Sequence, residues 1–197
     1  MNIGIDIDGV LIDDDTYRLD NMSKYCFENN LPCIDRPYNY ESKCYWSNEV
    51  KEDYRNKYFF EYVKNAPVRN YASEVIKKLH DEGHRIIIIT ARYKTAEDSK
   101  IGVQMRNDTV NWLNKNGIIY DEICYAHCPK TNEILEKNID IMIDDSPEIL
   151  PEIIKVTKVL CFDNSYNRDM QYDNMVRVFS WYDIYSRIQQ FTKQNND

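Results

Sequence analysis

The sequence predicts an α/β fold: a three-layer, Rossmann-like parallel sheet with helices on both faces and a small helical unit inserted after the first strand. Two observations carry this. From Tyr71 onward, short isoleucine- and valine-rich runs alternate with amphipathic stretches, the pattern of parallel strands joined by helical crossovers. The first apolar run, Ile3-Gly4-Ile5, is separated from the next, Arg85 to Ile89, by a long segment of different character. Continuous rather than alternating apolarity marks strands covered on both faces.

The first strand ends in Asp6-Ile7-Asp8-Gly9. On a strand, positions i and i+2 project to one side, so Asp6 and Asp8 are expected to point the same way. Gly9 permits the sharp turn beyond. Two like charges in one place are costly unless a cation or a proton is shared between them. Residues 17–30 have helical spacing (Leu19, Met22, Tyr25, Cys26), with Asp15 or Thr16 as the expected N-cap and Asp13, Asp14 and Asp15 as a solvated acidic start. A proline-containing loop over 31–40 follows, then a helix over 49–63. The roughly 55 residues between the two strand signals exceed an ordinary connection and read as a lid over the tip of strand 1.

Residues 71–82 form an amphipathic helix closed by Gly83. Arg85 to Ile89 is a buried strand ending in Thr90-Ala91-Arg92, and 93–99 is a loop. The remainder reads as a helix over 103–116 closed by Gly117, a strand over 121–126, a short helix over 130–138, and a strand over 139–143 ending in Asp144-Asp145-Ser146-Pro147. Pro147 is expected to open a helix to about Val156, with Asp145 as an alternative N-cap. Strands over 158–162 and 176–179 and a helix over 181–191 complete the pattern. Ligands of such sheets bind beyond the carboxyl ends of the strands, where Asp6, Asp8, Thr90, Asp144 and Asp145 would gather.

At 197 residues the chain can bury one good core. A net charge of −8 argues against a nucleic-acid polymer as partner. No apolar run reaches the ~20 residues that span a bilayer, and the N-terminus enters strand 1 directly, so a cytoplasmic protein without membrane contact is expected. A homodimer is left open. The six cysteines (Cys26, Cys33, Cys44, Cys124, Cys128, Cys161) lack zinc-site spacing and are expected to be reduced, mostly buried thiols.

The succession of Asp6-Ile7-Asp8-Gly9-Val10-Leu11 after an apolar strand, Thr90 closing Ile86–Ile89, Lys130, and Asp144-Asp145 after Ile141-Met142-Ile143 resembles the four motifs of the haloacid dehalogenase-like (HAD) phosphohydrolases. The resemblance covers nearly the whole chain. It implies a HAD-like core over 1–12 and 71–197, with 13–70 as a substrate-selecting cap. It also implies Asp6 as nucleophile forming an aspartyl-phosphate, and Asp8 as general acid and then base. Mg2+ would be held by Asp6, the backbone carbonyl of Asp8, and Asp144, with Asp145 acting through a water. Thr90 would bond a phosphoryl oxygen and Lys130 would balance charge, Lys137 being its competitor.

Within that superfamily the cap length and the two aspartate motifs look like the 5′(3′)-deoxyribonucleotidases and their bacterial nucleotidase-like relatives. The chain differs from the former in having Ala91-Arg92 where they have serine-proline. A small-molecule phosphate ester is the implied substrate, a (deoxy)nucleoside monophosphate first, with a sugar phosphate or other small metabolite as the alternative. A non-catalytic module on the same fold is the alternative from another class. Of the insert's aromatic residues most are expected to pack the cap, with Tyr45 and Trp46 as candidates for stacking a base. Arg92 is a candidate contact for phosphate or sugar, and 162–168, following the next strand, is a candidate to line the same edge, with a surface loop as the default.

Overall fold

The six strands lie parallel in the order β3-β2-β1-β4-β5-β6. They are β1 (Asn2–Ile5), β2 (Arg85–Thr90), β3 (Glu122–Tyr125), β4 (Ile141–Asp144), β5 (Lys158–Phe162) and β6 (Met175–Val178). The structure is a computed structural model and describes residues 1–32 and 46–194. Alternation along β2 divides its side chains between two cores. Ile86 and Ile88 join Ile3, Ile5, Ile141 and Ile143 on one face, while Ile87 and Ile89 join Met142, Val159 and Cys161 on the other. Both faces are apolar because both are covered, which is why the strands read as unbroken apolar runs.

Helices α4 (Ala72–Asp81), α5 (Lys100–Lys115) and α8 (Trp181–Gln194) cover the first face; α6 (Thr131–Glu136) and α7 (Leu150–Ile153) cover the second. Gly83 (φ +85°) and Gly117 (φ +66°) stand just past α4 and α5 in the left-handed conformation that closes a helix. Ser99 caps α5, accepting from the Gly102 amide at 3.0 Å.

Between β1 and α4 lie α1 (Asp14–Glu28), α2 (Asn48–Tyr54), a π-turn (Arg55–Phe59) and α3 (Phe60–Asn65). Met22, Tyr25, Cys26, Trp46, Tyr54 and Tyr58 form a small core of their own. Tyr62, Val63 and Ala66 instead join the main core, and the Trp112 indole donates to the Ala66 carbonyl at 2.7 Å. The chain leaves and re-enters the sheet region side by side: Ile12 bridges Val68, and the Arg69 amide donates to the Leu11 carbonyl at 2.7 Å.

Several expectations are corrected. Strand β1 ends at Ile5, Asp6 continues its pairing by one amide bond, and Asp8 lies in the following turn rather than on the pleat; the Leu11 and Ile12 amides both donate to the Ile7 carbonyl there. Asp13, not Asp15 or Thr16, caps α1, accepting from the Thr16 amide. Asp14 is buried rather than solvated. Pro147 lies in a turn, and Pro151 occupies the first turn of α7. Among the described residues no helix is long and apolar enough to cross a membrane.

Candidate active site

Asp6 stands one residue past β1, its amide donating to the Ile143 carbonyl at 3.0 Å. That bond carries the β1–β4 pairing one step further and brings Asp6 beside Asp144 at the end of β4. Lys130 spans the two carboxylates, with Nζ 2.7 Å from Asp6 Oδ1 and 2.8 Å from Asp144 Oδ2, and its side chain is 1% exposed. The residue adopts φ +69° immediately before α6, a conformation costing a non-glycine residue roughly 1–3 kcal/mol. It is therefore no solvated helix start. Lys137, its rival, pairs with Glu122 and Glu136. The other Asp144 oxygen accepts from the Asp145 and Ser146 amides at 2.8 and 3.0 Å.

Burial pushes the Asp6 carboxyl up; Lys130 opposes this while Asp144 and Asp8 add to it, and the balance stands at about 7. Lys130 is raised as well, for the opposite reason: burial disfavours its charge, but Asp144 and Asp6 together hold it above the ordinary lysine range.

Asp8 has different partners. Arg92 grips it with two parallel bonds, Nε to Oδ2 at 3.0 Å and Nη2 to Oδ1 at 2.6 Å, and the Tyr62 hydroxyl donates to Oδ1 at 2.5 Å. Burial raises this carboxyl, but Arg92 and Tyr62 outweigh it and hold it below the usual range. The stability gained from the pair is present above the unfolded value of ~3.9 and lost as pH falls through the lower folded value. Replacing Arg92 by methionine should thus destabilise the protein by about 3 kcal/mol at pH 7, by stranding a largely buried charge. The deficit should shrink in denaturant unfolding at pH 3. Thr90 is fully buried at the end of β2, its Oγ1 accepting from the Arg92 amide at 3.2 Å.

Asp145 completes the edge. One of its oxygens, Oδ2, accepts from Asn164 Nδ2 at 2.9 Å and from the Tyr166 hydroxyl. Asp145 is not a helix N-cap, since α7 begins only at Leu150 with Ile149 at its N-cap. Burial, with Asp144 and Asp6 nearby, pushes its carboxyl well above the usual range. Gly9 (φ +78°) lies so close that a Cβ there would fall 1.8 Å from Asp145 Oδ2. Gly9→Ala should therefore displace Asp145, lower stability by more than about 2 kcal/mol in denaturant unfolding, and reduce activity sharply even where the variant folds.

Among the described residues, Asp6, Asp144 and Asp145 are the group of acidic, histidine or cysteine side chains that offer ligand atoms to one point, all within 4.8 Å of one another. Three buried carboxylates fit a hard divalent cation such as Mg2+, and they carry more negative charge than Lys130 alone offsets. The Asp8 side chain lies outside this group.

The insert departs from expectation at its aromatic residues. Trp46 is 6% exposed, its ring packed 5.4 Å from Tyr25 and 5.5 Å from Tyr54 by centroid. Its ring, a candidate for stacking a base, packs within the small core. Tyr45 lies outside the described residues. Arg92 is committed to Asp8, with its side chain 1% exposed.

Sequence reasoning missed Tyr62, one aromatic residue among many in the insert, and the pairing of buried Asp14 with half-buried Arg18 at 2.7 Å. In the loop after β5, a candidate to line this edge with surface loop as its default, it missed the individual residues that reach the site. Asn164 and Asn167 are buried there; Asn164 bonds groups at the tips of β1 and β4, and Asn167 the Asp145 carbonyl at the tip of β4. The polar run 163–168 directly after a buried strand was the available signal.

A protein of Chlorobaculum tepidum named "Putative 5′(3′)-deoxyribonucleotidase" is 36% identical over 61% of this chain, a match spanning 54% of that protein's own length. A nucleotidase of Clostridium acetobutylicum is 28% identical over 95% of this chain and 93% of its own. The fold is shared with a HAD family hydrolase of Deinococcus radiodurans whose structure holds phosphate and sodium (TM-score 0.64, 12% identity, 96% of this chain and 95% of that one). It is shared equally with a haloacid dehalogenase-like hydrolase of Streptococcus pneumoniae (TM-score 0.63, 14% identity, 95% and 98%). The model of the cytosolic type C 5′-nucleotidases, described as "5' nucleotidase, deoxy (Pyrimidine)", matches residues 1–194, and the chain belongs to that family.

Proposed function

We propose that this protein is a Mg2+-dependent phosphomonoesterase that hydrolyses pyrimidine (deoxy)nucleoside monophosphates through a phosphorylated aspartate. The observation that carries the reading is the division of two neighbouring carboxylates between two cations. Asp6 is paired with Lys130 in line with Asp144 and Asp145, whereas Asp8 is paired with Arg92. Environments that separate two carboxylates assign them different tasks. The family description and the name of the Chlorobaculum tepidum relative favour the nucleotide substrate.

In this account a carboxylate oxygen of Asp6 forms a bond to phosphorus as the bond to the ester oxygen breaks, and Asp8 gives that oxygen its proton. Water then attacks phosphorus, the bond to Asp6 breaks, and Asp8 takes the water's proton. Asp8 must occupy both protonation states; Arg92 and Tyr62 stabilise the ionised one, and a dianionic phosphate beside it stabilises the protonated one. Thr90 and Lys130 hold phosphoryl oxygens. Asp6, Asp144 and Asp145, with the Asp8 carbonyl, would hold Mg2+, which offsets the charge of phosphate against these carboxylates. Residues 13–70 act as a cap on a core made of 1–12 and 71–197.

Phosphate release from dUMP, dTMP, UMP, dAMP and glucose 6-phosphate, with Mg2+ and with chelator, tests this. The account expects pyrimidine nucleotides to exceed glucose 6-phosphate by more than about tenfold in kcat/KM, and chelator to abolish turnover until Mg2+ is restored. A preference for glucose 6-phosphate would overturn the substrate, and full activity in chelator the metal.

A further inference from the structure

The loop that follows β5 reaches across the sheet edge to the tips of β1 and β4. Asn164 Nδ2 donates to Asp145 Oδ2 at 2.9 Å and to the Gly9 carbonyl at 3.1 Å. The Tyr166 hydroxyl donates to the same Oδ2. Asn167 Nδ2 donates to the Asp145 carbonyl at 2.8 Å and the Phe162 carbonyl at 2.9 Å, and its Oδ1 accepts from Arg177 Nη1 at 2.8 Å. Side chain and backbone of one residue are thereby held by three residues of one loop.

The orientation of Asn164 is fixed as well. Its Oδ1 accepts from Arg69 Nη2 at 2.7 Å, and the same nitrogen reaches the Gly9 carbonyl at 3.1 Å. With the oxygen turned to Arg69, the amide nitrogen faces Asp145, and the reverse placement would set like against like. Arg69 is itself fixed, its guanidinium 4.2 Å over the Phe162 ring and its amide bonded to Leu11.

Both side-chain bonds to Asp145 converge on Oδ2. Oδ1 has no hydrogen-bond partner among the described residues. A carboxylate held by one oxygen presents the other in a defined direction, the arrangement that outer partners impose on metal ligands.

We infer that Asn164 and Tyr166 are positioning residues for the metal carboxylate Asp145, with Arg69 fixing Asn164 from the strand crossing where the insert returns. The inference rests on the Mg2+ reading above. It assigns the β5–β6 loop, outside the four sequence motifs, to the strength of divalent-cation binding. A purely structural loop would instead affect folding alone.

The test is Mg2+ binding to the full-length, metal-free protein, followed by titration calorimetry without substrate, for wild type, Tyr166→Phe and Asn164→Asp. Tyr166→Phe keeps the ring and removes the donor. Asn164→Asp keeps the shape and sets a carboxylate against Asp145. Each should weaken Mg2+ binding by about tenfold or more, while the metal-free unfolding midpoint of Tyr166→Phe stays near wild type. Turnover by Tyr166→Phe should recover towards wild type as Mg2+ is raised, with the substrate KM little changed at saturating metal. Mg2+ binding by Tyr166→Phe as tight as wild type would overturn the inference and leave the proposed function standing. A wild type that binds no Mg2+ would overturn both.

Discussion

Replacing Asp6 by asparagine should lower kcat by roughly 10⁴-fold or more, the scale on which removal of a nucleophile acts, and at the same time should make the metal-free protein more stable. The two effects share a cause. Asp6 is held where burial, and then Asp144 and Asp8, disfavour its charge, so that its carboxyl titrates near 7 despite Lys130. A carboxyl whose folded pKa lies above its unfolded value of ~3.9 weakens the fold as pH rises between the two, because the folded state binds the proton more tightly. The penalty is fully expressed above about pH 7 and fades towards pH 4. Thermal unfolding of the metal-free proteins should therefore place Asp6→Asn above wild type at pH 8, with the gap closing as pH falls. A variant less stable than wild type at pH 8 would mean that the loss of Asp6 as a partner for Lys130 outweighs the relief.

Lys130→Met should act in the opposite sense on stability and in the same sense on activity. Lys130 is the cation within 2.8 Å of both Asp6 and Asp144, and neither carboxylate is more than 8% exposed. Removing one partner from a buried ion pair typically costs about 3–5 kcal/mol, and here two carboxylates are stranded. Denaturant unfolding should show a loss of that order in chelator. Mg2+ should return part of it, since a ligand that binds only the folded state stabilises it by mass action. Combining Lys130→Met with Asp6→Asn should cost less than Lys130→Met alone, because a neutral Asp6 position no longer needs the cation. Equal losses in the single and double variants would show that the site's charges do not act on one another.

Much of this arrangement was legible in the chain. Isoleucine-rich runs ending in Asp6, Thr90 and Asp144 carry their own burial signal, so both the sheet and the edge at which those residues gather follow from periodicity. Lys130 could be chosen over Lys137 by the length of chain needed for a helix and a strand before Asp144. The cap of α1 could not be chosen: Asp13, Asp14 and Asp15 have equal capping ability, and what separates Asp14 from the others is its burial against the rest of the fold. Trp46 was open to two readings for a similar reason, since an aromatic ring in a loop serves packing or stacking according to what folds over it.

The polar run after β5 marked a segment at the sheet edge, but not which of its residues would reach the site, and Tyr62 carried no mark at all. The partners of Asn164, Tyr166 and Tyr62 lie 155, 21 and 54 positions away in sequence, and no local pattern encodes a contact made across the sheet edge.

The central claim is that Asp6 becomes phosphorylated. Acid-quenched single turnover of 32P-labelled dUMP with Mg2+, followed by proteolysis and mass spectrometry, tests it directly. The account predicts transient label on the peptide that carries Asp6, appearing before free phosphate and absent in Asp6→Asn. Phosphate formed at the same rate with no label on the protein at any time would mean that water attacks the ester directly, and that Asp6 is not the nucleophile.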